Sequence, residues 1–308
     1  MLSNNKKLIA VVGATGQQGG GVLRALKGSG QFKVRALTRN PDKHRELAEE
    51  VVEADLDRPE TLKAAFEGAH GVFLVTNWFQ EEAGTGELKQ AAAAVRAAKD
   101  AGVKHLIWST LPNVDAIGSG KFNVPHFTDK AKIDPVVKDS GFENYTFVIA
   151  PFYYQNLAGA IAPQKGANGL MGWALPLNPT LRVIHMGDIN ELGNIVSGAF
   201  AHPDEAGNGQ YLPLVGDFMS FNEIVETLNR QGHNFSYNQV PKEVFAGFFP
   251  GAAEIAEMFS YWEAHTYLGL DSSDRIALAN KIAGRKPTGF TTWARENFPK
   301  QLNATDGA

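Results

Sequence analysis

Three glycines near the start of the chain are the first residues whose spacing indicates chemistry. Gly13, Gly16 and Gly19 follow the apolar run 8–12, and a helical pattern begins directly after them. In such a strand–turn–helix unit the first glycine permits a tight turn, the second lets a phosphate approach the backbone, and the third lets the helix pack on the sheet. The helix start also directs free N–H groups at the phosphate. This context favours dinucleotide binding over a plain structural turn.

A second group lies at the end of the next predicted strand, residues 32–38. Arg39 follows it, then Asn40, with Lys43 four residues beyond Arg39 and no acidic residue directly at the strand end. In dinucleotide folds an acidic residue here binds the ribose 2′-hydroxyl of NAD, whereas a basic residue accommodates the 2′-phosphate of NADP. A guanidinium also offers phosphate a planar fork of donors. We therefore expect NADP(H); a solvated surface arginine is the alternative.

The third group could transfer a proton. Short-chain dehydrogenases use a Tyr-x-x-x-Lys pair, in which the tyrosine passes a proton and the lysine lowers its pKa and holds the nicotinamide ribose. Here Lys130 is present but His126 occupies the tyrosine position, and Ser109 and Thr110 end a strand where the usual serine would lie. His126 can act as a general acid or can be only a packed or capping side chain. Tyr153 is a second candidate acid.

These residues require a scaffold of alternating strands and helices. Apolar runs predict strands at 8–12, 32–38, 51–55, 71–78, 105–110 and 145–150, with helices between them, including one from 126 to 140. This alternation is typical of a doubly wound parallel α/β sheet, the Rossmann arrangement. Past residue 157 glycines and prolines break the rhythm. We expect a boundary near 156, with 1–156 as the NADP-binding domain and 157–308 as a smaller α+β domain, and allow for the chain crossing back.

Ligands of parallel sheets bind outside the carboxyl ends of the strands. Thr76, Asn77 and Trp78 end the fourth predicted strand and should lie over the cofactor. Asp55 at the end of the third strand is expected beside the adenine, as the corresponding residue is in short-chain dehydrogenases. Asp55 or Asp57 can also cap the following helix, and the two interpretations are compatible. Lys89, in the first turn of the predicted helix 87–101, is disfavoured by the helix dipole; this makes it a weak cofactor candidate, or a plain surface lysine.

The composition excludes several classes of function. The chain has 308 residues, a formal net charge of -4 and no cysteine. The negative charge and the lack of a helix-turn-helix pattern argue against direct nucleic-acid binding. Thiolate catalysis, disulfides and cysteine metal sites are excluded, and no metal site is expected. Without a predicted signal peptide or membrane span, we expect a cytoplasmic protein.

The segment 243–267 is rich in aromatic residues. This composition predicts the core of a small domain and is also typical of a lid over an apolar pocket; the two interpretations are compatible. The large apolar side chains concerned are Phe245, Phe248, Phe249, Met258, Phe259, Tyr261, Trp262 and Tyr267.

Together the motifs resemble the NmrA-like family of atypical short-chain dehydrogenases, and especially its human-type NADPH-sensor members. The matching pieces are Gly-Ala-Thr-Gly-Gln-Gln-Gly at 13–19, Val-Arg-Ala-Leu-Thr-Arg-Asn-Pro at 34–41, Val-Thr-Asn-Trp at 75–78, His-Phe-Thr-Asp-Lys at 126–130, Tyr-Tyr-Gln-Asn at 153–156 and Phe-Pro-Gly-Ala at 249–252. The resemblance covers nearly the whole chain and implies a Rossmann domain with a smaller C-terminal domain and NADP(H) in the cleft between them.

The resemblance also implies which residues contact the cofactor. They are Gly13, Ala14, Thr15, Gly16, Gln17, Gln18, Arg39, Lys43, Asp55, Leu56, Thr76, Asn77, Lys130, Tyr153, Tyr154, Gln155 and Asn156. Two functions stay open, and the absence of the catalytic tyrosine favours the first. The first is a redox sensor of the NADPH/NADP ratio that binds a regulatory protein; the second is an NADPH-dependent reductase of a small apolar carbonyl, imine or quinone. We expect a monomer or a homodimer.

Overall fold

The computed structural model describes residues 6–80, 85–166 and 169–305, which form short strands connected by helices and loops. The strands are β1 Leu8–Val11, β2 Lys33–Thr38, β3 Glu50–Glu53, β4 Gly71–Leu74, β5 His105–Thr110, β6 Asn144–Ile149, β7 Phe152–Tyr153, β8 Gln164–Lys165, β9 Met171–Leu175, β10 Ile184–Gly187, β11 Asn208–Pro213, β12 Asp217–Met219 and β13 Phe235–Gln239.

Helices cover both faces of the largest sheet and build most of the second half of the chain. They are α1 Gln17–Ser29, α2 Leu62–Phe66, α3 Thr85–Asp100, α4 Val114–Ile117, α5 Pro125–Ala131, α6 Asp134–Asp139, α7 Leu192–Ala201, α8 Pro203–Ala206, α9 Phe221–Arg230, α10 Lys242–Phe245, α11 Ala252–His265, α12 Ser273–Ala283 and α13 Phe290–Thr305. None of the helices in the described part of the chain is long and apolar enough to cross a membrane.

A seven-stranded sheet in the order β11-β6-β5-β4-β1-β2-β3 forms the centre of the fold. All its neighbouring strands pair in parallel. The central strands β4 and β5 are buried along their whole length, as their unbroken apolar runs require when helices cover both faces. One face packs against α1, α7 and α12, and the other against α2, α3 and α6. The predicted Rossmann-type α/β fold is confirmed.

The chain returns to this sheet after leaving it. Strand β11 pairs with β6 at the sheet edge, and α7 packs against α1. The approach of α7 is close, since a Cβ on Gly193 would lie 2.3 Å from the carbonyl oxygen of Gly21. Strand β11 was not predicted, because residues 208–213 are mostly polar or partly exposed and contain Gly209 at a φ of +74°. Residues after 156 thus contribute to both parts of the molecule.

Two three-stranded sheets, in the orders β12-β10-β7 and β13-β9-β8, form the second part with α9, α10, α11 and α13. Their core is largely aromatic, with Trp262, Trp293 and Phe221 almost fully buried. One local prediction was wrong. The helix expected over 126–140 is divided into α5 and α6. The segment 111–123 contains the short helix α4, whose first turn is capped by the Asn113 side chain.

Candidate functional site

One cavity of about 1620 Å³ runs from the glycine turn after β1 to the aromatic segment 243–267, and we call it the cleft. The carboxyl ends of β1, β2, β4 and β5 meet at its edge, as the topology of a parallel sheet requires. At the other end the walls include Phe245, Phe249, Phe259 and Trp262. The cleft therefore joins a polar groove to an apolar pocket.

The glycine turn leaves its backbone open to the cleft. Gly13 has a φ of +66°, which side chains rarely adopt, and a Cβ on Gly19 would lie 2.1 Å from the Gly13 carbonyl oxygen. Gly16 precedes α1, and no side chain caps that helix start. Its uncapped N–H groups are the arrangement that binds phosphate in other proteins. Thr15, Gln17 and the three glycines line the cleft, whereas Ala14 is buried.

Gln18 connects two hydroxyl groups inside the cleft. The Ser109 hydroxyl donates to Gln18 Oε1 at 2.7 Å, and Gln18 Nε2 donates to the Tyr153 hydroxyl at 2.8 Å. Burial raises the pKa of Tyr153 to about 12, despite the opposing hydrogen bond from Gln18, so the phenol keeps its proton at neutral pH. Gln18 was predicted as part of the phosphate turn, and no local pattern indicated that it would contact Tyr153.

At the predicted adenosine end, Arg39, Asp55 and Leu56 line the cleft. Arg39 is exposed and forms no ion pair within the described residues. Asn40 and Lys43 are exposed and lie outside the cleft lining. The Asp55 carboxylate accepts from the backbone N–H of Asp57 at 3.0 Å. No side chain caps the helix starts that follow at Arg58 and Thr61, so the capping alternative is wrong.

Lys130 is buried beneath the end of β4. Its ammonium donates to the Glu87 carboxylate at 2.6 Å, to the Thr76 carbonyl at 2.9 Å and to the Thr76 hydroxyl at 3.0 Å. An ammonium has three protons, so each has an acceptor. Burial lowers the pKa of Lys130, while the Glu87 charge and hydrogen bond oppose that shift. The lysine lines the cleft, but its hydrogen bonds hold α3 and α5 against the end of β4.

His126 lies one helical turn from Lys130 and is surrounded by rings. Trp78, Phe79 and Phe127 have ring centroids 5.9, 5.5 and 4.8 Å from the imidazole. Its Nδ1 lies 2.6 Å from Glu254 Oε1, on α11. His126 thus stands where the end of β4 meets the aromatic segment, facing both parts of the cleft.

Several of the predicted cofactor-binding residues do not line the cleft. Tyr154 packs on Phe290 and Trp293 in the second core, and Gln155 donates to Asp188 at 2.5 Å. Lys89 is exposed on α3 and is not part of the cleft lining. Tyr153 and Asn156 from the same stretch, and Asn77 and Trp78 after β4, do line it.

The two glutamate partners were missed. Glu87 and Glu254 lie 43 and 128 residues from Lys130 and His126 in the chain, so no local pattern links them. The aromatic prediction fits both of its interpretations. Phe245, Phe248, Phe249, Met258, Phe259, Trp262 and Tyr267 line the cleft, whereas Tyr261 belongs to the buried core.

The fold and cleft define a Rossmann-type dinucleotide-binding architecture of the atypical short-chain dehydrogenase kind. The sequence profile of the NmrA-like family matches residues 5–294. The chain therefore belongs to the NmrA-like family, as its motifs predicted.

Individual relatives agree with this assignment. The chain is 29% identical over 315 residues to an NmrA-like family domain-containing protein of Dictyostelium discoideum, covering 96% of this chain and 98% of the relative. It is 36% identical over 242 residues to the NmrA-like family domain-containing oxidoreductase FrzB of a Cladobotryum species, covering 71% of each.

Solved structures share the fold. NmrA, a negative transcriptional regulator solved with NADP, superposes with a TM-score of 0.82 at 24% identity, covering 97% of this chain and 98% of NmrA. Triphenylmethane reductase of a Citrobacter species, solved with NADP(H), gives a TM-score of 0.71 at 22% identity, covering 93% and 98%. These similarities establish the fold and do not decide between regulator and reductase.

Proposed function

We propose that the chain binds NADP(H) in the cleft and reduces an apolar substrate held against the aromatic segment. The main support for this proposal is that one continuous cavity includes both the glycine turn and the ring-lined pocket. A sensor needs only the first part. Relatives named as oxidoreductases and neighbours solved with NADP(H) support the same proposal.

The residues at the polar end fit a dinucleotide. The uncapped start of α1 and the absence of a side chain at Gly16 leave room for a pyrophosphate beside the backbone, whereas the absence of one at Gly19 lets α1 pack closely on the turn. Arg39, exposed and unpaired within the described residues, suits the 2′-phosphate. Thr76 and Asn77 would border the nicotinamide half. Bound NADPH would supply a hydride.

The reduction also needs a proton source. His126 Nε2 has no hydrogen-bond partner among the described residues, and the side chain lines the cleft. We assign His126 as the general acid, acting in its protonated form. Tyr153 is the second candidate, because its hydroxyl accepts from Gln18 and keeps its own proton available.

A sensor of the NADPH/NADP ratio that binds a regulatory protein is the second candidate function. It is favoured by one observation: the three ammonium protons of Lys130 already have protein acceptors, so the lysine has no free donor for the nicotinamide ribose. The cytoplasmic location and the monomeric or homodimeric state stay predictions.

The test combines cofactor binding with turnover. NADPH and NADH are titrated by calorimetry, and NADPH oxidation is then followed against a panel of aldehydes, ketones, quinones and imines with aromatic substituents. Tighter NADPH binding with turnover of at least one compound supports the reductase. Tight NADPH binding without turnover across the panel favours the sensor. Equal affinities for the two cofactors would contradict the NADP(H) assignment.

A further inference from the structure

The carboxylate of Glu254 contacts His126 twice through one oxygen. Glu254 Oε1 accepts from the His126 backbone N–H at 3.1 Å and lies 2.6 Å from the imidazole Nδ1. Val124, the residue before α5, offers no side-chain cap, so the glutamate from α11 satisfies a backbone donor at the start of α5. Two contacts on one oxygen fix both the ring and the backbone that carries it.

This contact determines which ring nitrogen carries the proton. An ionised carboxylate only accepts hydrogen bonds, so Nδ1 must be the donor and the neutral imidazole has its lone pair on Nε2. Nε2 has no hydrogen-bond partner among the described residues, and it is not one of the fully buried polar atoms that lack a partner. It is therefore accessible from the cleft. The surrounding rings hold the imidazole plane in place.

The carboxylate is ionised at neutral pH. Burial alone would raise the pKa of Glu254, but the side-chain and backbone hydrogen bonds from His126 outweigh it and hold that pKa below its usual value. The exposed fraction of the Glu254 side chain is 21%, against 8% for His126, so the pair is shielded from bulk water.

We propose that Glu254 is a positioning residue that holds His126 as the Nδ1–H tautomer and presents Nε2 to the cleft. The claim about the tautomer depends only on the geometry of the pair. Its consequence for turnover rests on the proposed reductase function. The two claims are therefore tested separately.

Nitrogen-15 NMR of the histidine rings tests the tautomer without any substrate. His126 is assigned by the resonances that disappear in His126→Gln. At a pH where the ring is neutral, we expect a protonated Nδ1 and an unprotonated Nε2 in the wild type, and loss of the Nδ1–H form in Glu254→Ala. Glu257→Ala is the matched control, because Glu257 lies on the same helix, pairs with Lys242 and does not line the cleft. A wild-type Nε2–H form, or an unchanged tautomer in Glu254→Ala, would overturn the proposal.

If Glu254→Ala does not fold, Glu254→Gln decides. Glutamine keeps the size and an acceptor oxygen but removes the charge, so the Nδ1–H proton resonance should move upfield as the hydrogen bond weakens. A resonance at the wild-type position would show that the carboxylate does not hold this proton.

A double-mutant cycle tests the link to turnover. We expect Glu254→Ala to lower kcat about tenfold or more and His126→Ala about a hundredfold or more, with no further loss in the double variant. Additive losses would contradict a role through His126. Failure of the wild type to oxidise NADPH with any compound would count against the reductase function, while the NMR result would still decide the tautomer.

Discussion

Helix α5 carries two basic side chains, and each is paired with a glutamate from a different part of the molecule. Lys130 pairs with Glu87 of α3, on the Rossmann side, and His126 pairs with Glu254 of α11, in the aromatic part. Both pairs have a closest approach of 2.6 Å. They differ in what remains free: Lys130 has an acceptor for every proton, whereas His126 keeps one ring nitrogen open to the cleft.

This difference separates an ion pair that supports the structure, Lys130–Glu87, from one that can take part in a reaction, His126–Glu254. Glu87 is 1% exposed at its side chain, and its pair with Lys130 joins α3, α5 and the end of β4. Such a buried pair costs a great deal to break, and although Lys130 lines the cleft, each of its protons already has an acceptor. The histidine pair borders the cavity. Four predictions exploit this contrast, from the largest expected effect to the smallest.

Lys130→Met should lower the free energy of unfolding by about 3–5 kcal/mol, because Glu87 would remain buried without a counter-charge. The measurement is urea unfolding at neutral pH. Lys132→Met is the control; Lys132 is 52% exposed in its pair with Asp129, so its loss should cost less than about 1 kcal/mol. The double variant Lys130→Met/Glu87→Leu should recover most of the stability. Equal losses in the two single lysine variants would remove the contrast between the pairs.

His126→Ala should lower kcat by about a hundredfold or more, close to 2.7 kcal/mol, while NADPH affinity changes only a few-fold. The reason is that Nε2 faces the cleft and would donate the proton when the ring is protonated. His265→Ala serves as the control, since His265 stacks on Tyr261 and does not line the cleft. If turnover survives in His126→Ala, the acid is another group, and Tyr153→Phe becomes the decisive variant.

Arg39→Ala should weaken NADPH binding by about 2 kcal/mol and hardly affect NADH, as expected for a lost charge-assisted contact to the 2′-phosphate. Arg39 extends the comparison to a basic group that has no carboxylate partner among the described residues. Calorimetric titration of both cofactors measures the effect. Lys43→Ala, outside the cleft lining, should have the smaller effect; the reverse order would move the phosphate site to Lys43.

Asp134→Asn should stabilise the protein by about 1–2 kcal/mol at pH 8. Asp134 is a buried carboxyl that accepts from Tyr211 at 2.8 Å, and burial raises its pKa from 3.8 to about 6. The folded protein then binds this proton more tightly than the unfolded chain, so Asp134 lowers stability as the pH rises from 3.8 through about 6. Thermal unfolding from pH 4 to 8 should show this loss in the wild type and less of it in the variant. An equal pH dependence of stability in the wild type and the variant would show that other groups cause the loss.

Local sequence determined much of the scaffold. The apolar runs of β1, β4 and β5 can be buried only in a sheet covered on both faces, and Gly13 of the first turn adopts backbone geometry that other residues rarely can. The four-residue spacing of His126 and Lys130 places both on one helical face. These features depend on neighbours within a few residues, which the sequence displays directly.

Only the tertiary structure decided the partners. Glu254 meets His126 across 128 residues, and Gln18 meets Ser109 and Tyr153 across 91 and 135. Tyr154, predicted at the cofactor, lies instead in the aromatic core, because β7 ends at Tyr153 and the chain turns at Tyr154 into a short 3-10 helix. Packing of distant elements selects such contacts, and no spacing within the chain encodes them. The sequence thus determined which basic groups lie on one face of the helix. The fold decided that every proton of Lys130 has an acceptor, whereas one ring nitrogen of His126 is open to the cleft.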